Sequence, residues 1–330
     1  MLEERFYSLG RHFKDVFDER VHKINVNVPA SGGGGAFHLC TGGVLSHFHE
    51  VAVNLPVREQ IANAKERVRQ KFKLGKFMAC LHTAPSDPVS LDDLGRAVDE
   101  VLTDNETLGI SLTILPDSLT AETGNFLKKT SKHTSIWVEP SLHTIHDSTL
   151  RRIGMTHTYA QTKEALLSLL NSRMHVAAHV VFGLPGETPE MEKQTIVEVS
   201  KLCLSGINIH CFHVLKNSPF EQEFAEGKLR LLEREEYTGL VCDFIELLPP
   251  SAVLHGICDG VAEDRLVAPD WMRFRKENLD LITSTLEKRG SVQGCKIDEW
   301  TIIKTPPKPT PADVVPVESA AVEVESAGNG

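Results

Sequence analysis

The sequence predicts an α/β fold built on a parallel sheet, and three observations carry that prediction. Short apolar, β-branched segments alternate with amphipathic ones along most of the chain, the pattern of strand–helix units joined by right-handed crossovers. One segment, His175–Phe182 (HVAAHVVF), is nearly all apolar, as a strand covered on both faces should be. Hydrophobic residues make up 41% and charged residues 24% of the 330 residues, which is a globular composition. Periodicity leaves two architectures open: an open doubly wound sheet, or a barrel or partial barrel.

Taken in order, the first strand is predicted at Val21–Val28, where apolar and polar residues alternate. Ser31–Gly35 (SGGGG) follows it. Without the Lys-Ser/Thr of a P-loop or the spacing of a dinucleotide fingerprint, it reads as a flexible loop. Val57–Phe72 is a charged amphipathic helix and Phe77–His82 the second strand. Leu91–Leu102 and Ala121–Lys129 are helices on either side of a third strand, Leu108–Leu115, and Thr134–Glu139 is the fourth. Tyr159–Leu170 carries a leucine-rich helical face ahead of the fifth strand, His175–Phe182. Thr188 can cap the next helix, with Pro189 at its first position. That helix would bury Ile196, Val199 and Cys203 and be closed by Gly206. Ile207–Leu215 is the sixth strand, Tyr237, Val241, Phe244 and Leu248 repeat on a later helix, and Ala252–Cys258 is a candidate seventh strand. From Thr301 to Gly330 there are five prolines, no aromatic residue and a run of Ala, Val and Glu. Such a segment buries too little to offset its ordering entropy. The expected organisation is a folded unit over residues 1–300 and a disordered tail over 301–330.

Composition also excludes function classes. A net charge of −10 argues against a general nucleic-acid-binding surface. No segment reaches the ~18–20 apolar residues of a membrane span, and the charged first residues are not a secretory signal. The expected compartment is the cytoplasm. Seven dispersed cysteines without a C-x-x-C pair fit neither a disulfide framework nor a cysteine-rich metal knuckle.

In parallel α/β folds ligands sit at the carboxyl ends of the strands. Gly183-Leu184-Pro185-Gly186-Glu187 stands there, after the most apolar strand and before a capped helix. Its glycines allow close backbone approach, and the helix start offers N–H donors. His38, Cys40, His47 and His49 form a dense group of metal-capable side chains, although no standard zinc motif has this spacing. His210, Cys211 and His213 share one strand, with His210 pointing opposite to the other two.

Several segments resemble the radical S-adenosylmethionine (radical SAM) superfamily, in particular the YhcC type, whose core is similar to the catalytic subunit of Elongator. They are FYSLGRHFKDVFDERVHKINV near the start, WVEPSLHTIHDSTLRRIG at 137–154, HVVFGLPGETPEM at 179–191, INIHCFHVLKNSPFEQEFAEGKL at 207–229 and LVAPDW at 266–271. The resemblance implies a partial (β/α)6, TIM-like barrel. It also implies S-adenosylmethionine and a [4Fe–4S] cluster held by three cysteines in the loop after the first strand, since such clusters need thiolate ligands. It places Gly183, Gly186, Glu187, Glu139 and His210 at the cofactor-binding wall. Cys40 falls at the third cluster position, while the other two fall at about Gly32 and Phe37; His38 is a conceivable second ligand. Around the pocket, Leu115 stands where the family has arginine, His143 where it has glutamine, and His255-Gly256 where it has His-Arg. Met78, Cys80 and His82 occupy a segment that is polar in the family. The expectation is a degenerate barrel that lacks the cluster and binds a small molecule or a protein partner. Two alternatives stand beside it. One is an active radical SAM enzyme that recruits Cys80 or Cys211 beside Cys40. The other is a zinc-dependent hydrolase using His38, Cys40, His47 and His49, although zinc itself is not expected.

Overall fold

The computed structural model describes residues 5–28, 55–72, 75–83, 90–172, 174–258, 261 and 264–297. The Ser31–Gly35 loop, His38, Cys40, His47, His49 and the segment 301–330 lie outside the described residues.

Helix α1 (Leu9–Phe17) precedes β1 (Val21–Asn27), and then helices and strands alternate. They run α2 (Val57–Lys71), β2 (Lys76–His82), α3 (Leu91–Leu102), β3 (Thr107–Ile114), α4 (Ala121–Thr130) and β4 (Ser135–Pro140). Next come α5 (Asp147–Arg152), α6 (Tyr159–Asn171), β5 (His175–Phe182), α7 (Pro189–Ser200), β6 (Gly206–Cys211) and a short β7 (Val214–Leu215). The chain continues through α8 (Glu221–Ala225), α9 (Arg234–Leu247), β8 (Val253–Gly256), β9 (Leu266–Ala268) and α10 (Arg275–Arg289). Seven strands form one sheet in the order β1-β2-β3-β4-β5-β6-β8, and each neighbouring pair is parallel. Strands in sequence order with helical crossovers curl the sheet into a partial barrel, the architecture the resemblance implies. The small β7–β9 pair is antiparallel and separate.

Side-chain alternation divides the sheet into two faces. Ile24 and Val26, Phe77, Ala79 and Leu81, Ile110 and Leu112, Ile136 and Val138, Val176, Ala178 and Val180, and Ile207 and Ile209 join the core under the helices. The residues between them face the concave side. They include Lys23, Asn25, Cys80, His82, Ser111, Thr113, Glu139, His179 and His210. A smaller apolar cluster of Tyr7, Leu9, Phe13, Met78, Trp137, Ala177 and Val253 closes the amino end of the barrel. There α1 packs on both β1 and β8, the two edges of the curled sheet, and the Leu254 N–H donates to the Tyr7 carbonyl at 2.9 Å.

Local signals behave largely as their chemistry dictates. Thr188 caps α7 by accepting from the Met191 N–H, with Pro189 at the first position. The close of α7 differs from the sequence reading. The helix ends at Ser200, and Gly206 begins β6. A Cβ at Gly206 would lie 2.9 Å from the Val253 carbonyl oxygen and 3.1 Å from the Trp137 ring. The glycine therefore permits strand contact and does not cap the helix. Ile207–Leu215 is two elements, because β6 stops at Cys211 and only Val214–Leu215 resumes as β7. The seventh parallel strand is Val253–Gly256.

Candidate functional site

The concave face converges on one carboxylate. Glu139, next to last on β4 and 2% exposed, accepts from Lys23 Nζ of β1 at 2.7 Å and from the hydroxyl of Ser111 on the adjacent β3. His255 Nδ1 of β8 lies 2.9 Å from Oε1, and His179 Nε2 of β5 lies 3.1 Å from Oε2. His179 Nδ1 then meets His210 Nε2 of β6 at 2.8 Å, with the two rings stacked at 9°. Six strands thus place polar groups in one chain of hydrogen bonds across the barrel.

Electrostatics fix the charge states. Burial pushes the Glu139 carboxyl up, but the Lys23 and His255 fields and the donated hydrogen bonds outweigh it and hold the group well below its usual range. Burial pulls Lys23 down, and Glu139 more than reverses this. Burial lowers His179 despite Glu139, and burial with the Lys23 charge lowers His255 to about 4. The network is therefore centred on one ionised Lys–Glu pair, supported by the neutral imidazoles of His179 and His255.

Two more imidazoles stand at the carboxyl end. His143, just beyond β4, is fully buried and has a left-handed φ of 60°. Its backbone bridges to β5: its N–H donates to the His179 carbonyl at 2.7 Å, and its carbonyl accepts from Val181 at 2.9 Å. His157 follows α5 and is 3% exposed. Neither ring nitrogen of either histidine has a hydrogen-bond partner. Burial, reinforced by His157, His179 and His210, holds His143 well below its ordinary value. Burial lowers His157 against the opposing pull of Asp117 and Asp147. A buried polar atom without a partner is costly, and a strained backbone on such a residue marks a position that the surroundings over-determine.

The 183–187 turn adjoins this end of the barrel. Gly183 and Gly186 have φ of 79° and 89°. The Gly183 N–H donates to Glu192 at 2.7 Å, and a Cβ there would sit 2.9 Å from Leu232 Cγ. Glu187 accepts from Thr144 Oγ1 at 2.5 Å, which ties the turn to the segment that carries His143. Burial raises the Glu187 carboxyl, and burial raises Glu192 to about 7.

Of the residues singled out from sequence, Glu139 and His210 meet in one network, and Gly183, Gly186 and Glu187 form the neighbouring turn. Lys23, Ser111 and His179 escaped sequence reasoning. Their signal was parity: Ser111 and His179 sit between outward apolar neighbours on their strands, and Lys23 alternates with the buried Ile24 and Val26, so each must face the barrel. His143 and His255 stood out only as departures from the family pattern.

The described thiols do not converge. Cys80 faces the concave side opposite Ser111, and burial pushes its thiol up to about 12. Cys211 packs in the helix-facing core, and Cys258 accepts from Asn278 of α10 at 3.6 Å. No group of three or more metal-ligating side chains is present among the described residues. No helix there is long and apolar enough to cross a membrane.

Residues 204–288 match the family model of the radical SAM C-terminal domain. The chain is 30% identical over 298 residues to the uncharacterized protein YtqA of Bacillus subtilis, covering 88% of this chain and 92% of that protein. It is 26% identical over 287 residues to protein YhcC of Escherichia coli K12, covering 84% and 91%. Among solved structures, the Elp3 protein of the archaeon Methanocaldococcus infernus, without its N-terminus, aligns with a TM-score of 0.60 at 15% identity. That alignment covers 83% of this chain and 64% of the Elp3 chain, so it is a likeness of fold over about two thirds of the larger protein. The curled parallel sheet, the matched C-terminal region and a relative that aligns over nearly the whole chain agree: the chain belongs to the YtqA/YhcC family of the radical SAM superfamily.

Proposed function

We propose that this protein is a radical-SAM-fold barrel that binds a small molecule at its carboxyl end without the [4Fe–4S] cluster on which the superfamily's radical chemistry depends. The observation that carries the reading is the state of the thiols. A cluster open to S-adenosylmethionine needs three protein thiolates on one side. Between β1 and β2 the sequence holds a single cysteine, Cys40. Cys80, the described thiol on the concave face, lies on β2 and not in the loop after β1, and Cys211 packs in the helix-facing core. The residues present do not fit the cluster.

Two features support retained binding. The unpartnered nitrogens of His143 and His157 sit at the carboxyl end, where ligands of this architecture are bound. Both rings are neutral at pH 7, so they offer a donor and an acceptor each without charge. Glu139, by contrast, is engaged by side chains of its own barrel and serves to brace Lys23, His179 and His255.

The test is anaerobic reconstitution of the full chain with iron and sulfide. The expected product is colourless, holds little iron and yields no 5′-deoxyadenosine with dithionite and S-adenosylmethionine. A near-stoichiometric four-iron centre that vanishes in a Cys40→Ala variant would overturn the proposal in favour of an active radical enzyme. Stoichiometric zinc in the purified protein would favour the hydrolase instead.

A further inference from the structure

A second surface lies outside the barrel, in a groove between α6 and α7 lined by Ile145, Tyr159, Val197 and Glu198 and flanked by Lys193 and Lys201. Lys193 and Val197 on α7 and Lys201 at its C-cap recur at i, i+4 and i+8, one stripe of the helix face. On α6, Tyr159, Lys163 and Leu167 recur at the same spacing. Glu198 joins the two helices by accepting from Lys163 Nζ at 2.7 Å and Tyr159 Oη at 3.1 Å. Val197 and Leu167 are 43% and 42% exposed. Lys193 and Lys201 form no ion pair with a carboxylate among the described residues. Lys201 feels the field of Glu198, which Lys163 already engages. The groove therefore presents apolar side chains between two cationic ones.

We infer that this groove is the docking surface for the chain's own acidic segment Glu318–Glu325 (ESAAVEVE). From Pro309 onward the sequence carries Asp313, Glu318, Glu323 and Glu325 and no lysine or arginine. Glu318, Val322 and Glu325 follow in the order acid–valine–acid, which answers Lys193–Val197–Lys201 in charge and apolarity. Reach is sufficient. From Ile297 to Glu318 the chain can extend to roughly 70 Å, while a folded unit of this size has a radius of gyration of about 19 Å. Exposed ion pairs are individually weak and screened by salt. Tethering compensates by giving the segment an effective concentration of about millimolar. Composition predicts a tail with no fold of its own, and a tethered charged segment needs none in order to dock.

The experiment uses full-length protein as an equal mixture of unlabelled and nitrogen-15-labelled chains, treated with a zero-length carbodiimide that joins lysine to carboxylate. Peptide mass spectrometry reads the links. The expected result is links from Lys193 or Lys201 to Glu318, Glu323 or Glu325 within chains of one label. They should fall about fivefold or more in Val197→Asp, which keeps both lysines, and in about 0.5 M salt. Absence of these links overturns the inference. So does equal linkage between unlike labels, which would assign the groove to a second copy, and so does a yield unchanged in Val197→Asp, which would mean random collision of the tail.

Discussion

Glu139 receives donors from four strands, and its substitution tests the concave network most directly. Removing one partner of a buried ion pair typically costs about 3–5 kcal/mol, because the other charge stays uncompensated. Lys23 keeps 25% of its side chain exposed, which places the expected loss at the lower end. Glu139→Leu should lower the unfolding free energy by about 3 kcal/mol in urea titration. A loss below ~1 kcal/mol would mean that Lys23 is solvated through the barrel mouth. His143 and His157 make a different prediction. Their folded proton affinities lie below the unfolded value, so above pH ~6.5 both states are neutral and pH has no effect through them. As pH falls below ~6.5 the unfolded chain takes up protons that the folded one refuses, and stability drops by about 1.4 kcal/mol per unit for each such imidazole. Glu192, raised to about 7, acts in the opposite sense, gaining stability as pH falls through that value. The clean readout is therefore a difference: between pH 7 and 5, His143→Gln should lose less stability than the parent protein. Parallel acid limbs would show that His143 already finds water in the folded state.

The element most open to test is the turn from β5 to α7. Sequence reading treats Gly183 and Gly186 as an open cradle, whereas the structure gives them different surroundings. Beside Gly183 the space is filled by Leu232, while a Cβ at Gly186 would meet nothing within 4 Å. Gly186→Ala should therefore cost only the left-handed backbone strain, about 1 kcal/mol. Gly183→Ala adds a steric clash and should cost about 1–3 kcal/mol more. The melting temperatures of Gly183→Ala, Leu232→Ala and the double variant check this: the double variant should lose less than the sum of the single losses. Strict additivity would mean that Leu232 yields without cost.

Across the whole molecule, the two ends of the described chain are clipped to each other. Gln293 donates to the carbonyls of Pro249 at 2.6 Å and Ala252 at 2.8 Å and accepts from the Tyr7 N–H at 2.7 Å. Its own N–H donates to Arg5. This buried amide thus joins the segment after α10, the approach to β8 and the strand edge that α1 covers. Gln293→Ala leaves the Tyr7 N–H and the Ala252 carbonyl without partners, at roughly 1–3 kcal/mol for each that stays dry, while the Pro249 carbonyl still accepts from the Ala252 N–H at 2.9 Å. Faster hydrogen exchange at Tyr7 and Leu254, with β3 and β4 unaffected, is the expected outcome. Uniformly faster exchange would make the clip part of the global folding unit.

The sequence by itself determined the alternation of strands and helices and the caps, because each rests on contacts within a few residues. Thr188-Pro189 before α7 and the apolar run of β5 need no distant partner to be read. Glu139 and His210 were also legible, through the family pattern that surrounds them. Tertiary structure alone decided what those strands bring together. Lys23 and His255 are 232 residues apart, yet both reach Glu139 because the sheet curls until β1 and β8 approach. Strand parity tells which side chains face inward but not how far round the barrel each one travels. The orphaned rings of His143 and His157 depend on the same closure, since burial and the absence of partners are properties of the packed space. Gly206 shows the limit from the other direction: its helix-closing spacing was local and plausible, and a carbonyl from β8, nearly fifty residues later, set its role.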